Sequence, residues 1–456
     1  MGLTRRLICE HTPAICKFLS LGQAALIDPA FPAVTCTAQS NYLTGKQPSE
    51  HGIVGNGWYN HELAEVNFWK QPNQTVQAPK IWHDLKRVDG SFTCAKMFWW
   101  YNMYADVDWS ATPRPTYPAD GSKHFDIHAW PYDLRMALKA EFGEFPFSTF
   151  WGPMAGKQSP AGKPEAASEW IADASKWIEQ EKQPILNLVY LPHLDYNLQR
   201  LGPAHPDIAD DLQRIDRIVG GLIGFFEERD VQVVLLSEYG IAPVEQPIHL
   251  NRLFRERGWL AIKEEFGLEQ LDCGNSRAFA VADHQVAHVY LNDTSLENEV
   301  RGLLERTDGV AAVWGQVEKR ANGIDHSRAG DLVVTSAENA WFTYYYWLDD
   351  TVAPDFARCV DIHRKPGYDP VELFKHSVRG SMPRVIFKLL KKKLGFRMLM
   401  DVIPLEASLV RGSHGCRPSD KADWPILISK SNSLNSNTLL DSTEVYGVLR
   451  SHVLGT

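Results

Sequence analysis

Ile185-Leu-Asn-Leu-Val-Tyr-Leu191 and, forty residues on, Val231-Gln-Val-Val-Leu-Leu-Ser-Glu-Tyr-Gly240 are the two stretches whose reading decides the fold. Each is a short apolar run ending in polar or turn-forming residues, the pattern of a strand buried on both faces. Between them Ile208, Leu212, Ile215, Ile218, Val219, Leu222 and Phe226 recur at helical spacing. Upstream, Ala167, Trp170, Ile171, Ala174, Trp177 and Ile178 mark a second helical stripe. Helix, strand, helix, strand reads as a βαβ unit of a parallel sheet with helices on its faces. In such sheets chemistry gathers beyond the carboxyl ends of the strands, where Asp195 and Glu238 follow the two runs.

Working outward, the chain of 456 residues is 44% hydrophobic and 23% charged, enough for a large core without disorder. A net charge of -9 supplies no general basic field, so nucleic acid is not an expected partner and phosphate recognition has to be local. Seven scattered cysteines without a C-x-x-C pair argue against a zinc knuckle or a complete disulfide framework and fit a reducing compartment. No apolar run reaches the ~18 residues of a transmembrane helix, and charged residues break up the first twenty positions. The expectation is a cytoplasmic protein. The basic stretch Lys388-Leu-Leu-Lys-Lys-Lys393 reads as a solvated helix face, with contact to an anionic membrane as the competing reading. Residues 95–160, dense in aromatics and turn formers, read as an irregular insertion over the rim, and 266–330 as a small α+β lobe within one domain spanning 1–456.

Phe31-Pro-Ala-Val-Thr35, Tyr42-Leu-Thr-Gly45, Pro48-Ser-Glu-His-Gly-Ile-Val-Gly-Asn56 and Arg411-Gly-Ser-His-Gly415 carry a resemblance. Their order and spacing are similar to the type I phosphodiesterase/nucleotide pyrophosphatase family of the alkaline phosphatase superfamily. The later segment through Asp361-Ile-His-Arg-Lys-Pro-Gly-Tyr-Asp369 also resembles phosphonoacetate hydrolases. The resemblance implies an alkaline-phosphatase-like α/β three-layer sandwich, its central sheet mostly parallel. It further implies a threonine nucleophile at Thr35, Asn56 holding phosphoryl oxygens, and one or two divalent metal ions, zinc in the family. A helix N-terminus beside the hydroxyl suits a phosphoryl group on physical grounds as well.

The same resemblance assigns metal ligands, and here the sequence departs from it. The family's D-x-x-x-H reads Asp195 and Gln199, its late histidine is His414, and its D-H-G pair reads Glu238-Tyr239. The remaining aspartate position falls on Met1, ahead of Gly2-Leu3. Either the strand that precedes it in the family has been lost from the start of this sequence, or this branch did not keep the aspartate. Gln199 and Tyr239 are weak ligands, and the shift from nitrogen to oxygen donors would favour Mg or Mn over Zn. Asp361 with His363, and His284 with His288, have spacings that can aim two donors one way, with structural packing as the competing reading. Trp99, Trp100, Tyr101 and Trp130 are candidate pocket residues, core packing being the alternative. The expected activity is metal-dependent hydrolysis of a small phosphodiester, pyrophosphate or phosphonate. The alternative is a catalytically altered homologue that binds a phosphorylated metabolite or a partner protein.

Overall fold

Residues pushed together by the apolar runs form two half-sheets rather than one continuous ladder. The computed structural model describes all residues except 121, 160–161, 376–389, 392–393, 395–398, 431–433, 435–437 and 456, so the basic stretch 388–393 falls largely outside the described residues. In chain order, α1 (Pro13–Ser20) leads into β1 (Gln23–Asp28) and α2 (Thr35–Thr44). Then come β2 (Cys94–Met97), β3 (Trp109–Pro113) and β4 (Ile127–Trp130). The deciding stretch gives α3 (Ala166–Lys182), β5 (Leu186–Val189), α4 (His193–Leu201), α5 (Ile208–Glu227) and β6 (Val234–Leu236). A lobe follows, made of β7 (Ala278–Asp283), β8 (Val286–Leu291), α6 (Glu297–Glu305), β9 (Val310–Trp314) and β10 (Leu332–Ser336). The chain closes with β11 (Ile426–Ser429), β12 (Leu439–Asp441) and α7 (Val445–Leu454).

One half-sheet has the order β4-β3-β2-β5, with β2 parallel to both β3 and β5. The other runs β12-β1-β11-β6, with β1 parallel to β12 and β11 antiparallel to β1 and β6. The two strands of the expected βαβ unit therefore pair elsewhere: β5 with Cys94–Met97 and β6 with Ile426–Ser429. Their side chains still share surroundings. Leu188 is buried in a cluster that Val234 and Leu236 pack against, and Val189, Leu191, Val231 and Val233 pack together against Ala172, Leu222 and Phe226. Leu186 N donates to Thr93 O and Tyr190 N to Met97 O, so the intervening Asn187 and Val189 turn their amides away from β2. β5 and β6 each end their half-sheet, and both are only half-buried at most positions.

The helical stripes pack as their periodicity requires. Leu212, Ile215, Val219, Leu222 and Phe226 of α5 are buried, and α5 rests on α1, α3 and α4. Each such side chain contributes ~1.5–3 kcal/mol on burial. α2 differs, because all ten of its residues are buried, polar ones included. It ends at Gly45, whose φ of 65° is the left-handed cap that glycine adopts without strain.

Residues 95–160 are more regular than their composition led us to expect. Aromatic and β-branched residues there build β3 and β4, which extend the half-sheet, and only the connections are irregular. The lobe's sheet is wholly antiparallel in the order β7-β8-β10-β9. All seven cysteines are free. No helix among the described residues is long and apolar enough to cross a membrane.

Candidate active site

Thr35 is the first residue of α2 and does not serve as its cap; that place belongs to Val34, whose side chain has no polar atom to cap with. The hydroxyl is thus left for other work. Thr35 Oγ1 lies 3.2 Å from the Tyr239 hydroxyl, and the next helix N–H, that of Cys36, donates to Asn56 Oδ1 at 3.1 Å. Asn56 is held in turn by Asp283, whose carboxylate accepts from the Asn56 backbone N–H at 2.7 Å and from Nδ2 at 3.0 Å. Gly55 permits this approach, since a Cβ there would stand 2.9 Å from Asp283 Oδ2. Burial pushes the Asp283 carboxyl up to about 7.

Asp195 sits in the first turn of α4, just past β5. Its Oδ1 accepts from the Tyr239 hydroxyl at 3.1 Å and its Oδ2 from Gln199 Nε2, one helical turn on, at 2.7 Å. Burial raises its carboxyl to about 6. Glu238, just past β6, accepts from Gln39 Nε2 at 2.6 Å through Oε1, while Oε2 is buried without a hydrogen-bond partner. It too is raised by burial, to about 7. Gln39 Oε1 accepts from the Trp100 N–H, which ties Glu238 to the aromatic segment.

His414 donates from Nδ1 to Ala33 O at 2.7 Å, leaving Nε2 4.0 Å from Asp195 Oδ1. Burial lowers its pKa to about 3, so the imidazole is neutral. The Tyr239 ring stacks on it at 3.6 Å, nearly parallel. On its other side stands His284 at 3.7 Å, which stacks on Tyr368 at 3.6 Å, and the Tyr368 hydroxyl donates to Gln199 Oε1. Thr35, Asn56, Asp195, Gln199, Glu238, Tyr239, His284 and His414 are therefore one buried group drawn from six segments.

Other candidates fall outside it. His288 bonds the Val54 carbonyl and accepts from the Gly330 N–H, steadying the loop that carries Asn56. His363 lies by the Phe68 carbonyl, and the Asp361 backbone N–H donates to Glu372, neither reaching Thr35. Trp99 is core, and Trp100 and Tyr101 pack behind Cys36 with Ile53 and Val76. Trp130 is exposed on the outer strand β4. Three of the four proposed pocket aromatics, Trp99, Trp100 and Tyr101, are therefore buried in the core, and Trp130 faces outward. Asp283, Gln39 and Tyr368 were not anticipated. The available signals were a carboxylate closing the apolar run Ala278–Ala282 and a glutamine in a helix, Thr35–Thr44, whose polar residues fall on every side.

Residues 2–369 match the family model for type I phosphodiesterase / nucleotide pyrophosphatase. The chain belongs to that family. An uncharacterised pyrophosphatase/phosphodiesterase of Schizosaccharomyces pombe is 25% identical over 237 residues, which are 49% of this chain and 39% of that protein. The chain thus spans about two fifths of that curated relative's length. Murine ectonucleotide pyrophosphatase / phosphodiesterase 5 superposes with a TM-score of 0.57 at 15% identity, covering 100% of this chain and 93% of that one. Phosphonoacetate hydrolase from Sinorhizobium meliloti, in complex with phosphonoformate, gives 0.60 at 14%, covering 98% and 92%. These likenesses establish the alkaline-phosphatase-like α/β fold.

Within this family member most of the polar atoms expected to hold a divalent ion have other partners, Glu238 Oε2 and His414 Nε2 being the exceptions. Both Asp195 oxygens accept hydrogen bonds, one Glu238 oxygen does, and Gln199 and Tyr239 are neutral groups engaged as donors. Tyr239 is held neutral by burial, which raises its phenol well above the usual value. Among the described residues no three His, Cys, Asp or Glu side chains are disposed to hold a metal ion. Asp195, Glu238 and His414 with Gln199 and Tyr239 do come together, but as a hydrogen-bonded and stacked group that does not fit a divalent-metal centre.

Proposed function

We propose that this chain hydrolyses a small phosphodiester, pyrophosphate or phosphonate, with Thr35 as the nucleophile and a covalent threonyl phosphate, still carrying the second ester when the substrate is a diester, as the intermediate. The observation that carries the reading is the Thr35 hydroxyl itself: buried, at the first position of a helix, free of any capping duty and within hydrogen-bond reach of Tyr239, which in turn donates to Asp195. Family membership supports the reaction class. Asn56 Oδ1 accepts from the Cys36 N–H beside Thr35, and this supports a role for Asn56 and the first-turn N–H groups in stabilising negative charge as the P–O bond rearranges.

The competing reading, a phosphate-binding homologue without turnover, draws on the internal satisfaction of Asn56 and Asp195. The two separate on one experiment. Purified protein is incubated with bis-p-nitrophenyl phosphate and with phosphonoacetate, and acid-quenched samples are digested and searched at position 35 for the p-nitrophenyl phosphothreonine ester from the first and phosphothreonine from the second. Turnover lost in Thr35→Ala, with the modified peptide in wild type only, supports hydrolysis. Binding of phosphate without turnover in either protein would leave the binding role.

A further inference from the structure

Tyr239 stands at the point where the nucleophile meets a carboxylate. Its hydroxyl is 3.2 Å from Thr35 Oγ1 and 3.1 Å from Asp195 Oδ1, and no hydrogen bond joins Thr35 to Asp195 directly. A carboxylate only accepts, so the Tyr239 O–H donates to Asp195, and the Tyr239 oxygen keeps its lone pairs for the Thr35 O–H. The bonds therefore run in one direction, from Thr35 through Tyr239 to Asp195.

Every member of this line is fixed from behind. The Tyr239 ring is stacked face to face on His414, which is tied to the Ala33 carbonyl. Asp195 Oδ2 is held by Gln199, and Gln199 by the Tyr368 hydroxyl. Gly240 lets this segment lie tight against the chain, for a Cβ there would be 1.8 Å from the Asp423 carbonyl oxygen. A threonine hydroxyl needs a base to attack phosphorus, and an aligned, immobile pair of O–H groups ending on a carboxylate supplies one.

We infer that Tyr239 is a catalytic residue whose hydroxyl relays the Thr35 proton to Asp195, so that the nucleophile is activated by an organic relay where the family resemblance implies a metal ion. The inference rests on Thr35 being the nucleophile. In the first step the Thr35 oxygen bonds to phosphorus and the bond to the leaving oxygen breaks. The Thr35 proton passes to the Tyr239 oxygen as the Tyr239 proton passes to Asp195. In the second step water attacks the phosphorus of the threonyl phosphate ester, its proton going to the leaving group released earlier or to solvent. The Asp195 proton then returns through Tyr239 to the departing Thr35 oxygen. Both steps balance, and the relay ends as it began.

Tyr239→Phe deletes the hydroxyl and keeps the ring on His414. With bis-p-nitrophenyl phosphate as the probe, kcat should fall by roughly 10²- to 10⁴-fold, the span of general acid–base catalysis, with KM changed by less than about twofold. Wild-type protein dialysed exhaustively against a chelator should keep its rate. If Tyr239→Phe turns over at the wild-type rate while Thr35→Ala does not, the relay is overturned and the threonine mechanism stands. If chelation abolishes wild-type turnover and Zn, Mn or Mg restores it, the relay is likewise overturned. Undiminished turnover in Thr35→Ala would remove the underlying reading, and the relay with it.

Discussion

Replacing Asp283 by asparagine tests whether the carboxylate that holds Asn56 is buried at the energetic disadvantage its surroundings imply. Asp283 is 1% exposed, and burial lifts its carboxyl from the ordinary 3.8 to about 7. A carboxyl raised in the folded state binds a proton that the unfolded chain has already lost. Its contribution to stability is therefore complete below the unfolded value and disappears as pH climbs through the folded one. From pH 5 to pH 7 this one group should cost the wild type roughly 2 kcal/mol. Asp283→Asn has no such titration. It gives up one of the two bonds to Asn56 and is less stable at pH 5, yet the gap to wild type should narrow by roughly 2 kcal/mol on reaching pH 7. Asp195 and Glu238 titrate in both proteins and cancel in the comparison. Urea unfolding midpoints at half-unit pH steps, with the slopes checked for constancy, provide the measurement. Parallel stability curves for the two proteins would refute the reasoning.

Two other substitutions probe how the site is built. Asn56→Ala strips the Cys36 N–H of its acceptor and Asp283 of its side-chain donor, which should cost about 1–3 kcal/mol and lower kcat on the order of 10²-fold; thermal unfolding and steady-state kinetics report the two effects separately. Gly240→Ala forces the Asp423 carbonyl and the Thr4 methyl aside, for about 1–3 kcal/mol, and should lower kcat because Glu238 and Tyr239 move with the displaced backbone; an unchanged melting temperature would show that the close approach is not needed.

Much of the constellation was legible because separate motifs each delivered one polar residue to the same rim: Thr35, Asn56, Asp195, Glu238 and His414. What sequence could not convey was how those groups face one another. Gln199 and Tyr239, read as weak ligands, spend their polar atoms on Asp195, since a neutral donor beside a buried carboxylate is worth more as a hydrogen bond. Asp283 and Gln39 escaped notice because a single buried polar residue has no spacing to betray it. Apolar periodicity located β5 and β6 within a residue or three, yet strand partners depend on distant chain, and Cys94–Met97 and Ile426–Ser429 were not foreseeable as neighbours. The ring-rich segment after β2 illustrates the same limit, since composition alone does not distinguish a core from a pocket.

The division between β5 and β6 gives the molecule an unusual mechanical plan. Strands ordinarily weld an α/β protein together through their ladders, and here the end strands of the two half-sheets are joined by side chains instead. Asp195 follows the strand on one bank, and Glu238 and Tyr239 follow the strand on the other. The Tyr239–Asp195 hydrogen bond is thus a rivet across the seam between the two banks.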